Sequence, residues 1–441
     1  MSTTTDRRTN AVGLEGRKKS MDDITAPKLG RRAFAKGAAA TAAAVSGFPH
    51  IAGAQAKVIR VGMPTVLSGR VAVLGQSCRA AAQVALKTFN EAGGINGRTL
   101  ELVDRDSQGR PDLAAKTARD LINNDGCEIL IDGEASSGAF AVHEVARDLP
   151  VLCLHTASET SSLTADPKLL VPTAFRCARQ GIHDAVAGGV YAAKIAKAKE
   201  LRRWMTCSPD YAYGRDNTAE FLEFAKRFEP SIEVADQVWP KLFAPDYTES
   251  ITKILQVKPQ AMYTALWGGD LVAFTEQSAL YNLFASTTLF CAALGDPPVL
   301  GAIKQLPEGL LTAYRYSRAY PDTPGNAGFA DAFRAIAKWD PTNWAWQTYV
   351  AMGFITEALK RTGGSTDGKR LAGEIAGMKL ATPIGVDGTI TMREEDHTII
   401  GYPLAWSRTV RRAPFLEGFE ATAWDRVLAH EAEWKKGKGY A

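Results

Sequence analysis

The sequence predicts an α/β protein of two similar lobes, each built on a parallel sheet with helices on both faces. Three observations carry this. Short apolar runs rich in β-branched residues alternate with helical-period segments from residue 58 to beyond residue 290. The alternation begins afresh after Phe175-Arg176-Cys177-Ala178-Arg179, as a second lobe would. The chain of 441 residues is also long enough for two domains.

The elements follow in order. Val58, Ile59, Val61 and Met63 suit a buried parallel strand, which Ser68-Gly69 breaks. Ala80, Ala81, Val84, Ala85 and Phe89 recur at helical spacing and stop at Gly93-Gly94, a natural helix exit. The next strand spans 100–103 and ends in Asp104-Arg105-Asp106. The first lobe continues with helix 114–123, strand 128–131, helix 139–148 and strand 150–154. The second lobe reads as helix 183–196, strand 203–206, helix 215–227, strand 233–238, helix 247–256, strand 261–266, helix 270–280 and strand 288–291. The opening unit places a loop of small and hydroxyl residues at a strand's carboxyl end, where open α/β sheets bind ligands. It has no G-x-G-x-x-G, so a dinucleotide is not favoured. The tail from Pro414 is charged and aromatic, as a surface helix would be.

The turn Phe89-Asn90-Glu91-Ala92-Gly93-Gly94-Ile95-Asn96-Gly97-Arg98 resembles that of the type I periplasmic solute-binding proteins of ABC transporters, in their branched-chain amino acid group. The likeness runs from about Lys57 to Arg408, with the later blocks in the same order. It implies two Rossmann-like lobes joined by a three-crossover hinge, with the ligand in the cleft between them. It further implies that segment 311–314 and helix 346–361 return to the first lobe, and that strands 389–392 and 399–406 lie at the far crossover. The expected division is residues 57–178 plus 295–382 for the first lobe, and 179–294 plus 383–441 for the second with its tail.

Residues 1–56 read as an export signal. Arg31-Arg32-Ala33-Phe34-Ala35-Lys36 matches a twin-arginine motif, followed by an Ala-rich stretch and an A-x-A cleavage site at Ala54-Gln55-Ala56. The segment carries nine Lys+Arg and four Asp+Glu; 43 basic and 44 acidic residues remain without it, against the whole chain's +4. The apparent basicity therefore belongs to the signal, and no concentrated basic face points to nucleic acid. A soluble, monomeric, periplasmic mature protein is expected, with a membrane permease as partner by the resemblance. The six cysteines have no zinc spacing, and no metal or other cofactor is expected. Their apolar contexts favour buried free thiols over disulfides. Relatives often bridge the positions of Ser107 and Ala135, and this chain has no Cys at either.

Four loops are expected in the cleft. The first holds Ser68 and, at a position where relatives carry an aromatic residue, Leu74. The second, Gly133-Glu134-Ala135-Ser136-Ser137-Gly138, opens a helix, where Ser136, Ser137 and free amides would hold a carboxylate. Ser137 as a plain helix cap is compatible with this. In the third, the resemblance gives Ala157 a backbone carbonyl role and puts a hydroxyl two residues later. Glu159 stands there, so either Ser158 substitutes, the favoured alternative, or Glu159 faces the ligand and changes specificity. In the fourth, Tyr213 matches a cleft tyrosine, and Trp267 would stack on a flat ligand or pack the hinge. Asp270 matches the acidic residue that takes a ligand's ammonium, although it would equally serve as an ordinary N-cap.

Enzyme readings fare poorly. Ser136 lacks the preceding glycine of a G-x-S-x-G elbow, and the six histidines are scattered. The expected function is capture of a hydrophobic or branched-chain amino acid by lobe closure. An aromatic carboxylate or short amide is the first alternative, suggested by Leu74, Tyr211, Tyr213 and Trp267. A ligand sensor feeding a regulatory partner is the second.

Overall fold

The computed structural model describes residues 58–441. The Arg31-Arg32 pair and the Ala54-Gln55-Ala56 motif lie outside the described residues.

The first sheet is wholly parallel. Its strands are β1 (Ile59–Thr65), β2 (Leu100–Asp106), β3 (Ile129–Asp132), β4 (Leu152–His155) and β5 (Ala174–Arg176), in the order β2-β1-β3-β4-β5. Ile59, Val61 and Met63 are fully buried, as a central strand covered on both faces requires.

The second lobe repeats the pattern. Strands β6 (Arg203–Cys207), β7 (Glu233–Val238), β8 (Ala261–Thr264), β9 (Thr288–Cys291) and β10 (Leu311–Ala313) are parallel, in the order β7-β6-β8-β9-β10. A small antiparallel sheet follows, of β11 (Lys379–Ala381), β12 (Thr389–Met392) and β13 (Ile399–Ile400). Strands β14 (Ala405–Thr409) and β15 (Leu416–Ala421) then add antiparallel to the β10 edge, completing seven strands. In both large sheets the strand order reverses beside the first strand of the lobe, at β1/β3 and at β6/β8. Ligands in open α/β sheets bind outside the strand ends at such points.

Two expected boundaries change. Leu311 pairs with Phe290 and Arg408, so β10 belongs to the second sheet rather than the first lobe. The chain returns to the first lobe only afterwards, with helix Asn343–Arg361 packed on helix Val73–Glu91. The expected division at 382/383 falls inside the small sheet, where Lys379 pairs with Thr391. The pairings show why: a strand is assigned by its backbone partner, and Leu-Thr-Ala carries no mark of which sheet it joins.

Close packing of the second lobe depends on a glycine pair. A Cβ at Gly189 would lie 2.5 Å from Phe224 Cβ, so helix Gly181–Lys199 meets helix Ala212–Phe228 backbone to side chain. The tail is more than the single surface helix expected. It contributes β15, and helix Trp424–Lys438 buries Val427, Glu431 and Trp434. Glu431 receives Arg393 at 2.7 Å and faces His183 at 3.1 Å, which fastens the tail to the second lobe. All six cysteines are buried and free, and burial pushes the Cys78 thiol up to about 12. Among the described residues no helix is long and apolar enough to cross a membrane.

Candidate functional site

Between the lobes lies a small cavity of about 20 Å³, lined by residues from the loops and helix starts that follow β1, β3, β4, β6, β8 and β10 and from the start of helix Asn343–Arg361.

The first lobe supplies Leu74, Ala135, Ser136, Ala157 and Glu159. Helix Ser136–Asp148 begins after Ala135, which is extended and has no side-chain cap, so its first amides carry no capping acceptor. Ser158 is buried behind this turn and donates its hydroxyl to Ser136 Oγ at 3.1 Å, leaving the Ser136 proton available to a ligand. Beneath the turn sits Glu134, fully buried with both carboxyl oxygens unpartnered. Burial, with the nearby Asp132 and Asp106 charges, pushes it up to about 8.

The second lobe supplies an aromatic wall. Trp267 donates its indole N–H to the Tyr211 hydroxyl at 2.8 Å and stands edge-on to Trp344, with ring centroids 5.6 Å apart. This orientation suits the ring quadrupoles. Tyr213 also lines the cavity, and its buried hydroxyl has no partner.

At the hinge side the floor is a charged pair. Glu159 holds the Arg315 guanidinium with both oxygens, one contact at 2.9 Å, and accepts from Asn343 Nδ2 at 2.6 Å. Arg315 Nε lies 3.6 Å from Asp296, whose carboxyl burial pushes up to about 6 although Arg315 draws it down. Asp296 accepts the Asn343 backbone N–H at 2.7 Å, and Trp346 donates to the Arg315 carbonyl at 3.0 Å. Arg315 itself is held well above the ordinary range: the Glu159 and Asp296 charges outweigh its desolvation.

Several expectations about the site change with this geometry. Glu159, rather than the favoured Ser158, reaches the cavity. Ser68 is exposed and away from it, at a loop whose backbone is held by Asp106. Ser137 is neither in the cavity lining nor the cap: the helix starts at Ser136, two residues earlier than a Ser137 cap would need. Asp270 stands on the first turn of helix Gly268–Leu280 and does not line the cavity. Its carboxylate meets Arg70 at 3.2 Å and accepts the Phe243 N–H at 2.8 Å. Leu74, Ser136, Ala157, Tyr213 and Trp267 are among the lining residues. The site residues that the loop assignment left out are Arg315 and Trp344. Arg315 follows a strand's carboxyl end, the same signal used for the other loops, but that strand had been placed in the other lobe.

A buried chain runs from Asp132 through His155 (2.5 Å) to His143 (2.9 Å) and ends on the Leu169 carbonyl (2.7 Å). None of its members lines the cavity, and burial pushes His143 down to about 3. It ties β3, β4 and helix Ser136–Asp148 together.

Residues 58–404 match the family model described as periplasmic binding protein. Among sequence relatives, Leu/Ile/Val-binding protein homolog 4 of Brucella abortus is 26% identical over 383 residues, covering 81% of this chain and 86% of that one. The leucine-, isoleucine-, valine-, threonine- and alanine-binding protein of Pseudomonas aeruginosa is 24% identical, covering 83% and 96%. Among solved structures, an ABC-transporter solute-binding protein of Rhodopseudomonas palustris in complex with 3,4-dihydroxybenzoic acid superposes with a TM-score of 0.74 at 24% identity, covering 82% of this chain and 96% of that one. The closed leucine-, isoleucine-, valine-, threonine- and alanine-binding protein of Brucella ovis gives 0.69 at 23%, covering 83% and 95%. With the family model spanning most of its length and the paired switch-point sheets on either side of one cleft, the chain belongs to the periplasmic binding proteins, in the type I, branched-chain amino acid group.

Proposed function

We propose that this chain is the substrate-binding component of an ABC transporter, and that it captures a small aromatic carboxylate between its lobes for delivery to a membrane permease. One observation carries the ligand class: the carboxylate that lines the cavity, Glu159, already holds Arg315 and Asn343. What the cavity offers instead is apolar aromatic wall and hydrogen-bond donors: the helix-opening amides, the Ser136 hydroxyl and the unpartnered Tyr213 hydroxyl. Donors suit a carboxylate, and the rings of Tyr211, Trp267 and Trp344 suit a flat apolar body.

A second reading keeps a branched-chain amino acid. The named ligands of the sequence relatives favour it, and Glu159 Oε2 accepts one contact from Arg315, leaving a lone pair for an ammonium. Thermal-shift and calorimetric titrations of the mature protein with benzoate, 4-hydroxybenzoate and leucine separate the two. Aromatic acids at a hundred times Kd should stabilise the fold by about 2.7 kcal/mol. Stabilisation by leucine alone would establish the second reading.

The route to the periplasm is proposed from Arg31-Arg32: replacing both with Lys should strand precursor in the cytoplasm. Normal delivery of that variant would exclude the twin-arginine route.

A further inference from the structure

Beside the cavity the two lobes touch through residues that do not line it: Arg70, Phe243, Ala244 and Asp270. Arg70, in the first-lobe loop after β1, donates through Nη1 to Asp270 Oδ1 at 3.2 Å and to the Ala244 carbonyl. Asp270 is 1% exposed and accepts the Phe243 N–H with its other oxygen, at 2.8 Å. Phe243 and Ala244 lie in the second-lobe connection from β7 to helix Thr248–Val257. Phe243 has a φ of +64°, an uncommon conformation for a bulky side chain. Such strain persists where the surroundings over-determine it, as at ligand clamps. The Phe243 ring reaches the first lobe: a Cβ at Gly109, in the turn after β2, would stand 3.5 Å from it. The facing backbones are as close. A Cβ at Gly269 would stand 2.5 Å from Arg70 Cγ and 2.6 Å from the Arg70 carbonyl oxygen, so any larger residue there holds the lobes apart.

We infer that Asp270 is a positioning residue for lobe closure: it ties Arg70 of one lobe to the Phe243-Ala244 segment of the other, and so sets how long a ligand stays rather than which ligand enters. This rests on the substrate-binding role of the cleft and not on the ligand class. A ligand enters while the lobes are apart, before these contacts exist, so association does not feel them. Release requires the lobes to part, which breaks the ion pair, the Ala244 contact and the Phe243 packing together. The pair differs from a surface one, because its carboxylate is buried and, among the described residues, Arg70 alone brings it a cation. Leu74 and Trp267, which do line the cavity, stand a few residues along the chain from these contacts, so parting here opens the wall itself.

The test is stopped-flow mixing with benzoate, 4-hydroxybenzoate and leucine, read by the fluorescence of Trp267 and Trp344 in the cavity wall. The proteins are wild type, Arg70→Ala, Arg70→Lys, Gly269→Ala and Phe243→Gly, the last chosen because glycine suits the positive φ. Arg70→Ala and Gly269→Ala, one from each lobe, should each raise the dissociation rate about tenfold and leave association within about twofold. Phe243→Gly should raise dissociation about threefold, and Arg70→Lys, which keeps a cation, should stay within about twofold of wild type. The factor should be the same for every ligand that the wild type binds. Unchanged dissociation in Arg70→Ala and Gly269→Ala, or a loss carried by slower association, overturns the proposal. So does a factor that differs about tenfold between ligands, since these residues would then select the ligand. The ligand class is tested apart from this: a wild type that binds leucine alone refutes the aromatic reading, and faster leucine release from Arg70→Ala still upholds the role of Asp270.

Discussion

Two arginine–carboxylate pairs flank the same cavity and differ in what holds them. At the floor, Arg315 and Glu159 are 2% and 4% exposed and are braced by Asn343, Asp296 and Trp346. At the mouth, Arg70 keeps 35% of its side chain exposed and reaches Asp270 across the gap between lobes. The floor pair is fixed by secondary structure on all sides and stands as part of the fold. The mouth pair depends on lobe position and is open to solvent screening on one side. The same chemical pair is therefore framework in one place and conditional contact in the other.

The comparison breaks most visibly at the floor. Arg315→Ala leaves Glu159 and Asp296 buried without their cation and should destabilise the protein by about 3–5 kcal/mol in urea unfolding. A loss below 1 kcal/mol would mean that the floor pair is as dispensable as a surface one.

Glu134 sharpens the contrast, because it is a third buried carboxyl with no arginine at all. Burial, the first cause, raises it from 4.5 to about 8, so the folded protein keeps a proton that the unfolded chain releases. The resulting stability is fully present below about pH 4.5 and is lost as pH climbs to about 8, at roughly 1.4 kcal/mol per unit within that window. Urea unfolding of wild type and Glu134→Gln at pH 5, 6.5 and 8 checks this, and the variant should gain relative stability at each step upward. Parallel curves for the two proteins would show that Glu134 is paired or hydrated in solution.

Much of the site was legible because strand ends and helix starts are local features. Ala157 and Tyr213 follow from where β4 and β6 stop, Leu74 stands in the first turn of the helix after β1, and Trp267 lies between β8 and its helix. Ser136 and Ser137 show the limit of that approach: neighbouring serines read alike in sequence, and only Ser136, the first residue of the helix, lines the cavity. Asp270 and Arg70 show another. They are 200 residues apart, and nothing along the chain records that one neutralises the other. Arg315 escaped for a topological reason, since its strand pairs with β9 and β14 and not with the first sheet.

The six buried thiols have a practical consequence for optical sensing. A maleimide dye meets no accessible native sulfur in the folded protein, so cysteines introduced at exposed positions would be labelled alone. Lys116 on a first-lobe helix and Lys436 on the C-terminal helix are two such positions, on elements fastened to different lobes. A donor–acceptor pair at Lys116→Cys and Lys436→Cys would convert lobe movement into a colour change, and the binding protein into a reagentless reporter of its own ligand.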